Sequence, residues 1–177
     1  MTNHGVQNGI FAGLVGVVLY LLYWFINPNL LFNMTLGLIV GLGVYAFFMW
    51  RAGSATKEDN SGYLTFKQAL KPTFLTFVIG SLIAVIFTYL LYNFIDPTLN
   101  DLLQEKSIEM AEKAAKMFGA DEEALEQIRE QVEAKGVSMS IGQIIQQYLV
   151  GLIFPGFILA LIVSAIIKKN PPQDAIV

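Results

Sequence analysis

Four long apolar stretches dominate the pattern of hydrophobic and polar positions along this chain. They cover residues 6–26, 30–50, 72–95 and 141–167, and none contains Asp, Glu, Lys, Arg or His. A helix needs roughly 20 apolar residues to cross about 30 Å of hydrocarbon. The pattern therefore predicts an all-α integral membrane protein with four transmembrane helices.

One phrase closes the first stretch and returns at the end of the third. Residues 20–30 read YLLYWFINPNL, and residues 89–99 read YLLYNFIDPTL. We interpret the spans as two hairpins related by duplication and running in the same direction, as parallel repeats. The alternative is that two unrelated spans acquired the same interfacial aromatic residues and the same proline turn by chance.

The repeated phrase has the composition of an interfacial belt followed by a turn. Tyr and Trp favour the headgroup level, where an apolar ring and a polar tip are both satisfied. Proline then ends the helix, because the residue before it is pushed out of the α region. The residues assigned to belt and turn are Tyr20, Tyr23, Trp24, Pro28, Tyr89, Tyr92 and Pro97.

Charged residues are segregated, and their distribution predicts the orientation. Arg51, Lys57, Lys67 and Lys71 lie between the second and third spans, and Lys168 and Lys169 follow the fourth. Cytoplasmic loops carry an excess of Lys and Arg. We therefore expect both termini in the cytoplasm and the acid-rich segment 96–140 on the outside.

Segment 96–140 is an acidic insertion between the third and fourth spans that is absent from the first hairpin. Its periodicity predicts two helices, with Gly119 and Asp121 at the break between them and Ser138 or Ser140 capping the fourth span. The pair either packs on itself or extends the membrane helices outward. A solvated helical pair and a docking surface for a partner both fit this pattern.

The link between the second and third spans predicts a polar loop at residues 54–62. Thr65 and Gln68 then have the spacing of a capping box. This spacing indicates a short interfacial helix leading into Pro72, in the first turn of the third span.

Small residues recur at four-residue spacing in every span, which is typical of helices that pack closely. Packing within one chain and homodimerisation are both compatible with this spacing. The predicted packing residues are Gly9, Gly13, Gly37, Gly41, Gly80, Ala84, Gly156 and Ala160.

Pro155 is expected to kink the fourth span. This is either a plain packing kink or the broken helix of a transporter.

Candidate chemistry is sparse. The chain contains no cysteine and a single histidine, His4, which has no partner at metal-ligand spacing. We assign no catalytic, cofactor-binding or metal-binding residue and expect no enzyme activity. A basic nucleic-acid patch is also missing.

The chain resembles DUF4199, a family of uncharacterised bacterial four-helix membrane proteins. The resemblance rests on the spans, the FIDP turn at 94–97, the GYLTFKQALK segment at 62–71, the acidic insertion and the IIKK segment at 166–169. It implies a bacterial inner (cytoplasmic) membrane location and carries over no functional residue.

The sequence favours a non-enzymatic accessory, structural or assembly subunit that acts through helix packing and the insertion. Its expected partners are the lipid bilayer and either another membrane protein or further copies of itself. A small transporter or channel, formed by one chain or an oligomer, is the alternative. An intramembrane enzyme ranks third, because the spans lack acids, bases and metal ligands.

Overall fold

The computed structural model describes residues 3–172, whose regular structure is helical. The helices are α1 (His4–Ile26), α2 (Met34–Asp59), α3 (Phe66–Leu90), α4 (Leu99–Met117), α5 (Glu122–Lys135), α6 (Ile141–Gly151) and α7 (Ile158–Ile167). The extreme termini, which we expected in the cytoplasm, lie outside the described residues. Four stretches are long and apolar enough to cross a membrane: His4–Ile26, Met34–Asp59, Phe66–Ile95 and Ile141–Ile167.

The predicted helix starts are confirmed where capping chemistry is strongest. Thr65 and Gln68 form a complete capping box at the start of α3. Ser140, rather than Ser138, caps α6 through a second capping box with Gln143. Asp121 caps α5 by accepting a hydrogen bond from the Ala124 N–H. These side chains satisfy N–H groups that a helix terminus leaves unpaired.

The link between α2 and α3 differs from its prediction. The expected polar loop at 54–62 is wrong over its first part, because α2 continues to Asp59. The expected separate interfacial helix is also wrong, since α3 runs unbroken from Phe66 through Pro72. At its other end α2 starts later than residue 30, because Pro28–Phe32 forms a 3₁₀ turn and Asn33 caps the helix.

α1 and α3 lie side by side and run in the same direction. Gly5 of α1 contacts Pro72 of α3 at one end, and Trp24 contacts Asp96 at the other. α2 packs on both helices, α7 packs on α2 and α3, and α6 packs on α3. We call the end that carries Tyr20 and Tyr89 the tyrosine end, and the end that carries Lys57 and Lys169 the lysine end.

The fourth apolar stretch is broken in its middle. Leu152–Phe157 forms a π-turn that separates α6 from α7, and Phe154 within it has extended backbone angles (φ −137°, ψ 109°). Pro155, the residue expected to kink this span, follows immediately and has no N–H to donate to a helical carbonyl. The two halves of this span therefore follow separate paths.

An apolar cluster closes each end of the bundle, while many apolar side chains face outward. Phe25 is 83% exposed and Ile39 is 70% exposed, as suits helices surrounded by lipid. The lysine-end cluster contains Met49, Leu64, Ala69, Phe77, Ala160, Val163 and Ile167. The tyrosine-end cluster contains Leu91, Tyr92, Leu99, Met139 and Ile144.

Candidate functional site

The two copies of the repeated phrase contact each other at the tyrosine end. The Tyr20 hydroxyl donates to the Tyr92 hydroxyl at 3.4 Å, and the Trp24 Nε1–H donates to Asp96 Oδ2 at 2.9 Å. Tyr92 is 1% exposed, so its ring is buried between helices rather than set among headgroups. Tyr89 packs its ring edge-on to Phe94, with centroids 5.9 Å apart. Residues predicted to form an interfacial belt thus join α1 to the end of the third span.

The turn residues of the phrase lie beside this contact. Pro28 opens the 3₁₀ turn after α1. The Pro97 carbonyl accepts a hydrogen bond from the Asn100 Nδ2–H at 3.1 Å. Tyr23, one turn before Asn27, accepts the Asn27 N–H through its carbonyl at 3.0 Å. Both prolines therefore sit in short, hydrogen-bonded turns.

Two asparagines, one just after α3 and one in the first turn of α4, bind the backbone of Met139 just before α6. The Met139 N–H donates to Asn100 Oδ1 at 3.0 Å, and the Met139 carbonyl accepts from Asn93 Nδ2 at 2.9 Å. The Asn100 Nδ2–H also donates to the Tyr92 carbonyl at 2.8 Å. We call Asn93, Asn100 and Met139 the asparagine clamp. It fixes the two ends of the 99–135 helical pair against the bundle.

α4 crosses the tyrosine end instead of extending a span away from it. Leu102 and Leu103 pack against the tyrosine-end cluster, together with Trp24, Leu31 and Phe32. Further along α4, Lys106 and Met110 line a depression shared with Asn29, Phe32 and Asn33. The helix therefore passes from the end of α3 over the link between α1 and α2.

α5 lies on the far side of α4 and is held there by charged side chains. Arg129 of α5 donates to Glu112 Oε1 of α4 at 2.7 Å. This hydrogen bond raises the pKa of Arg129. Within α4, hydrogen bonds from Lys106 and then Lys113 lower the pKa of Glu109 to about 2. The helical pair thus carries paired charges on an exposed surface.

A groove of about 490 Å³ separates α4 from α6. Its polar lining has amide and hydroxyl groups, and its apolar lining extends to Phe154 at the break in the fourth span. We call it the glutamine groove, after Gln143, Gln146 and Gln147. The sequence carries no local signal that α4 forms the opposite wall of this groove.

Four of the predicted packing residues, all glycines, lie in close contacts that leave no room for a side chain. A Cβ on Gly9 would lie 2.7 Å from Ile79 Cβ, and one on Gly13 would lie 2.8 Å from Ile83 Cβ. A Cβ on Gly80 would likewise lie too close to the Tyr45 ring, and one on Gly156 too close to the Phe77 ring.

The other predicted packing residues are less uniform. A Cβ built on Gly37 or Gly41 would have no atom within 4 Å apart from its chain neighbours and the backbone of its own helix. Ala160 is fully buried in the lysine-end cluster. Ala84 is half-buried and accepts a hydrogen bond from the Thr88 hydroxyl at 3.0 Å through its carbonyl.

Buried polar groups lie near the lysine end. The Thr73 and Ser164 hydroxyls are 2.8 Å apart and join α3 to α7. The Thr76 hydroxyl donates to the Gly5 carbonyl at 3.3 Å, joining α3 to α1. Asn8 is 4% exposed, and its Nδ2–H donates to the His4 carbonyl.

The lysine end is closed by contacts distant in sequence. Leu64 and Lys169 exchange both backbone hydrogen bonds, at 2.8 Å and 2.7 Å. Lys57 Nζ donates to the Ile167 carbonyl at 3.0 Å, where α7 leaves carbonyls unpaired. His4 Nε2 lies 2.8 Å from Asp59 Oδ2. Within residues 3–172, no three His, Asp or Glu side chains group as a metal site would require.

Length, composition and helix packing define the class as all-helical proteins with four candidate membrane-spanning helices. The chain belongs to the family described as protein of unknown function (DUF4199), whose model matches residues 7–169. The resemblance stated from the sequence is thereby confirmed. Comparison with curated proteins and with solved structures found no match.

Proposed function

We propose that the protein is a non-enzymatic accessory or assembly subunit of the bacterial cytoplasmic membrane. In this proposal the lysine end faces the cytoplasm and the tyrosine end faces outward, with α4 and α5 outside the bilayer. The positive-inside rule supports this orientation, because Arg51, Lys57 and Lys169 share the lysine end. The absence of acids, bases and thiols from the apolar stretches of the sequence supports a role without catalysis.

Duplication of an ancestral hairpin explains the repeated phrase in this proposal. α1 and α3 are the corresponding spans, and they run side by side in the same direction. The matched phrases contact each other through Tyr20 with Tyr92 and Trp24 with Asp96. The helical pair 99–135 is then the element that the second hairpin gained, and it is where we place the interaction with a partner.

The asparagine clamp is the observation that carries this proposal. A freely tethered helical pair would present no fixed surface, but this pair is anchored at both ends by the asparagine clamp. α5 then presents an exposed acidic face that includes Glu123 and Glu130. A fixed, charged surface beside a membrane bundle suits recognition of another membrane protein or a second copy of this chain.

Photo-crosslinking in native membranes tests the proposal. A photoreactive amino acid at Gln127 or Glu130 on α5 should capture a discrete protein partner or a second copy of the chain. The same group at Glu58, at the lysine end, is the matched control for random collision. If α5 yields neither a partner nor a dimer above the Glu58 control, the accessory role loses its support.

A small transporter is the second candidate, and the glutamine groove favours it. The groove brings Gln143 and Gln147 to the side of a span that breaks at Leu152–Phe157. Broken helices that line polar cavities form substrate sites in transporters. Single cysteines at Gln143, Gln147 and Val150 should then react with a soluble thiol reagent, whereas Leu149→Cys, on the exposed face of α6, should not. Uniform protection would argue against transport.

A further inference from the structure

One face of α4 continues past the bundle without a protein partner. Leu99, Leu103, Lys106, Met110 and Met117 follow one another at spacings of four, three, four and seven residues, which places them on one side of a helix. We call this set the α4 stripe. α5 covers the opposite side, where Ile108 and Glu112 line a depression together with Arg129.

The first half of the α4 stripe rests on the tyrosine end of the spans. Leu99 is 2% exposed in the tyrosine-end cluster. Lys106 and Met110 lie over Asn29 and Asn33, immediately before α2 begins. The stripe therefore lies at the level where α1 ends and α2 starts, which is also the level of the bilayer surface in the proposed placement of the spans.

The second half of the α4 stripe is apolar and uncovered. Met110 is 52% exposed, Met117 is 86% exposed, and Phe118, the cap that follows the helix, is 92% exposed. From Met110 to Met117 the helix advances about 10 Å at 1.5 Å per residue. Met117 and Phe118 therefore lie beyond the depression that α4 shares with Asn29 and Asn33.

We propose that the end of α4 anchors in the lipid leaflet at the tyrosine end, with Met117 and Phe118 inserted among the headgroups and upper acyl chains. Continuity supports lipid as the occupant, since the α4 stripe leaves the ends of the spans directly into the layer around them. Charge supports it too. Lys106 in the stripe and Lys113 beside it share one carboxylate, Glu109, which leaves a net positive charge there, while Glu122, Glu126 and Glu130 belong to α5, on the opposite side of α4.

This anchor differs from the partner surface proposed above, because it uses the face of α4 that α5 does not cover. It rests on the proposed membrane placement of the spans, but not on the accessory role. An amphipathic segment of this kind lies in the interface plane with its apolar side chains buried several ångströms deep. α5 would consequently be held at a constant height above the membrane.

Spin labelling tests the anchor, because the chain has no native cysteine. Phe118→Cys, Gln127→Cys and Leu38→Cys are each labelled in the full chain and reconstituted into phosphatidylcholine–phosphatidylglycerol vesicles. Collision rates with oxygen, which concentrates in lipid, and with a water-soluble nickel chelate are then measured. The oxygen-to-nickel ratio should be severalfold higher at Phe118→Cys than at Gln127→Cys, which lies on the exposed surface of α5.

The outcomes distinguish failure of the lipid anchor from failure of the proposed membrane placement of the spans. A ratio at Phe118→Cys equal to that at Gln127→Cys overturns the anchor. Protection of Phe118→Cys from both reagents also overturns it, since a protein partner or a second copy would then cover the site. Leu38→Cys, half-exposed on α2, must report lipid. If Leu38→Cys instead reports water, the membrane placement of the spans has failed.

Discussion

Gly9→Ala provides the most direct test of how α1 and α3 pack. The new Cβ would lie 2.7 Å from Ile79 Cβ and 2.9 Å from the Thr76 carbonyl oxygen. Carbon atoms make their best contact at about 3.5–4.0 Å, so the helices must separate by about 1 Å at this point. Neither contacting atom is the free end of a flexible side chain. The strain must therefore be taken up by the helix backbones.

The magnitude follows from two opposing terms. Overpacking a closed contact costs about 1–3 kcal/mol. Replacing a helical glycine by alanine returns about 1 kcal/mol of intrinsic helix preference. Gly41→Ala is the matched control, because its new Cβ would have no atom within 4 Å apart from its chain neighbours and its own helix backbone. We therefore expect Gly9→Ala to be less stable than Gly41→Ala by about 1–3 kcal/mol, since the intrinsic term cancels in that comparison.

Reversible unfolding of the full chain in mixed detergent–SDS micelles, followed by circular dichroism, measures this difference. The double variant Gly9→Ala/Gly13→Ala adds a second check. Gly13 meets Ile83 on the same contact line, so one separation of the helices relieves both clashes. The double variant should lose less than the sum of the single variants. Equal stability of Gly9→Ala and Gly41→Ala would refute the close α1–α3 contact.

Three further predictions concern the polar contacts. Asn100→Ala leaves the Met139 N–H and the Tyr92 carbonyl without this partner, so we expect a loss of about 1–3 kcal/mol and faster hydrogen exchange at Met139; unchanged exchange, as expected for an Asn29→Ala control, would contradict the asparagine clamp. Hydrogen bonds from Thr98 and then Trp24 lower the pKa of Asp96, so its ionised form stabilises the fold above the unfolded pKa of about 3.9 and loses that effect as pH falls through the lower folded value. Trp24→Phe should therefore destabilise the protein more at pH 7 than at pH 2 in the same unfolding assay, and an equal loss at both would count against the bond. Ser164→Ala should cost only about 0.6 kcal/mol, a typical value for a hydrogen bond between membrane helices, because the Thr73 hydroxyl keeps the Ala69 carbonyl at 3.0 Å; a loss of several kcal/mol would contradict this.

Local chemistry made the helix termini predictable. Thr65 with Gln68 and Asp121 act through atoms three residues away, so the signal is complete within a short window. The end of α2 was not predictable in this way. Residues 54–59 are polar but compatible with a helix, and distant contacts hold them, including the bond from Lys57 to the Ile167 carbonyl.

The candidate site was predictable only in part. The acidic helical pair and its apolar stripe followed from periodicity, because Leu99, Leu103 and Met110 lie at helical spacing. The direction of α4 did not, because it depends on contacts distant in sequence, in which Leu102 and Leu103 pack with Trp24 and Phe32. Sequence spacing describes one helix at a time and cannot state which neighbour covers it.

The closure of the lysine end has a consequence for the order of assembly during synthesis. Lys57 bonds to the carbonyl of a residue 110 positions further along the chain. At about 5–20 residues per second, roughly 5–20 s pass before that residue is made. Once α3 has also been made, α1, α2 and α3 are complete while the backbone N–H and carbonyl of Leu64 still lack their partner, Lys169. The lysine end can therefore close only after the fourth span has been made, which makes its closure a late step of assembly.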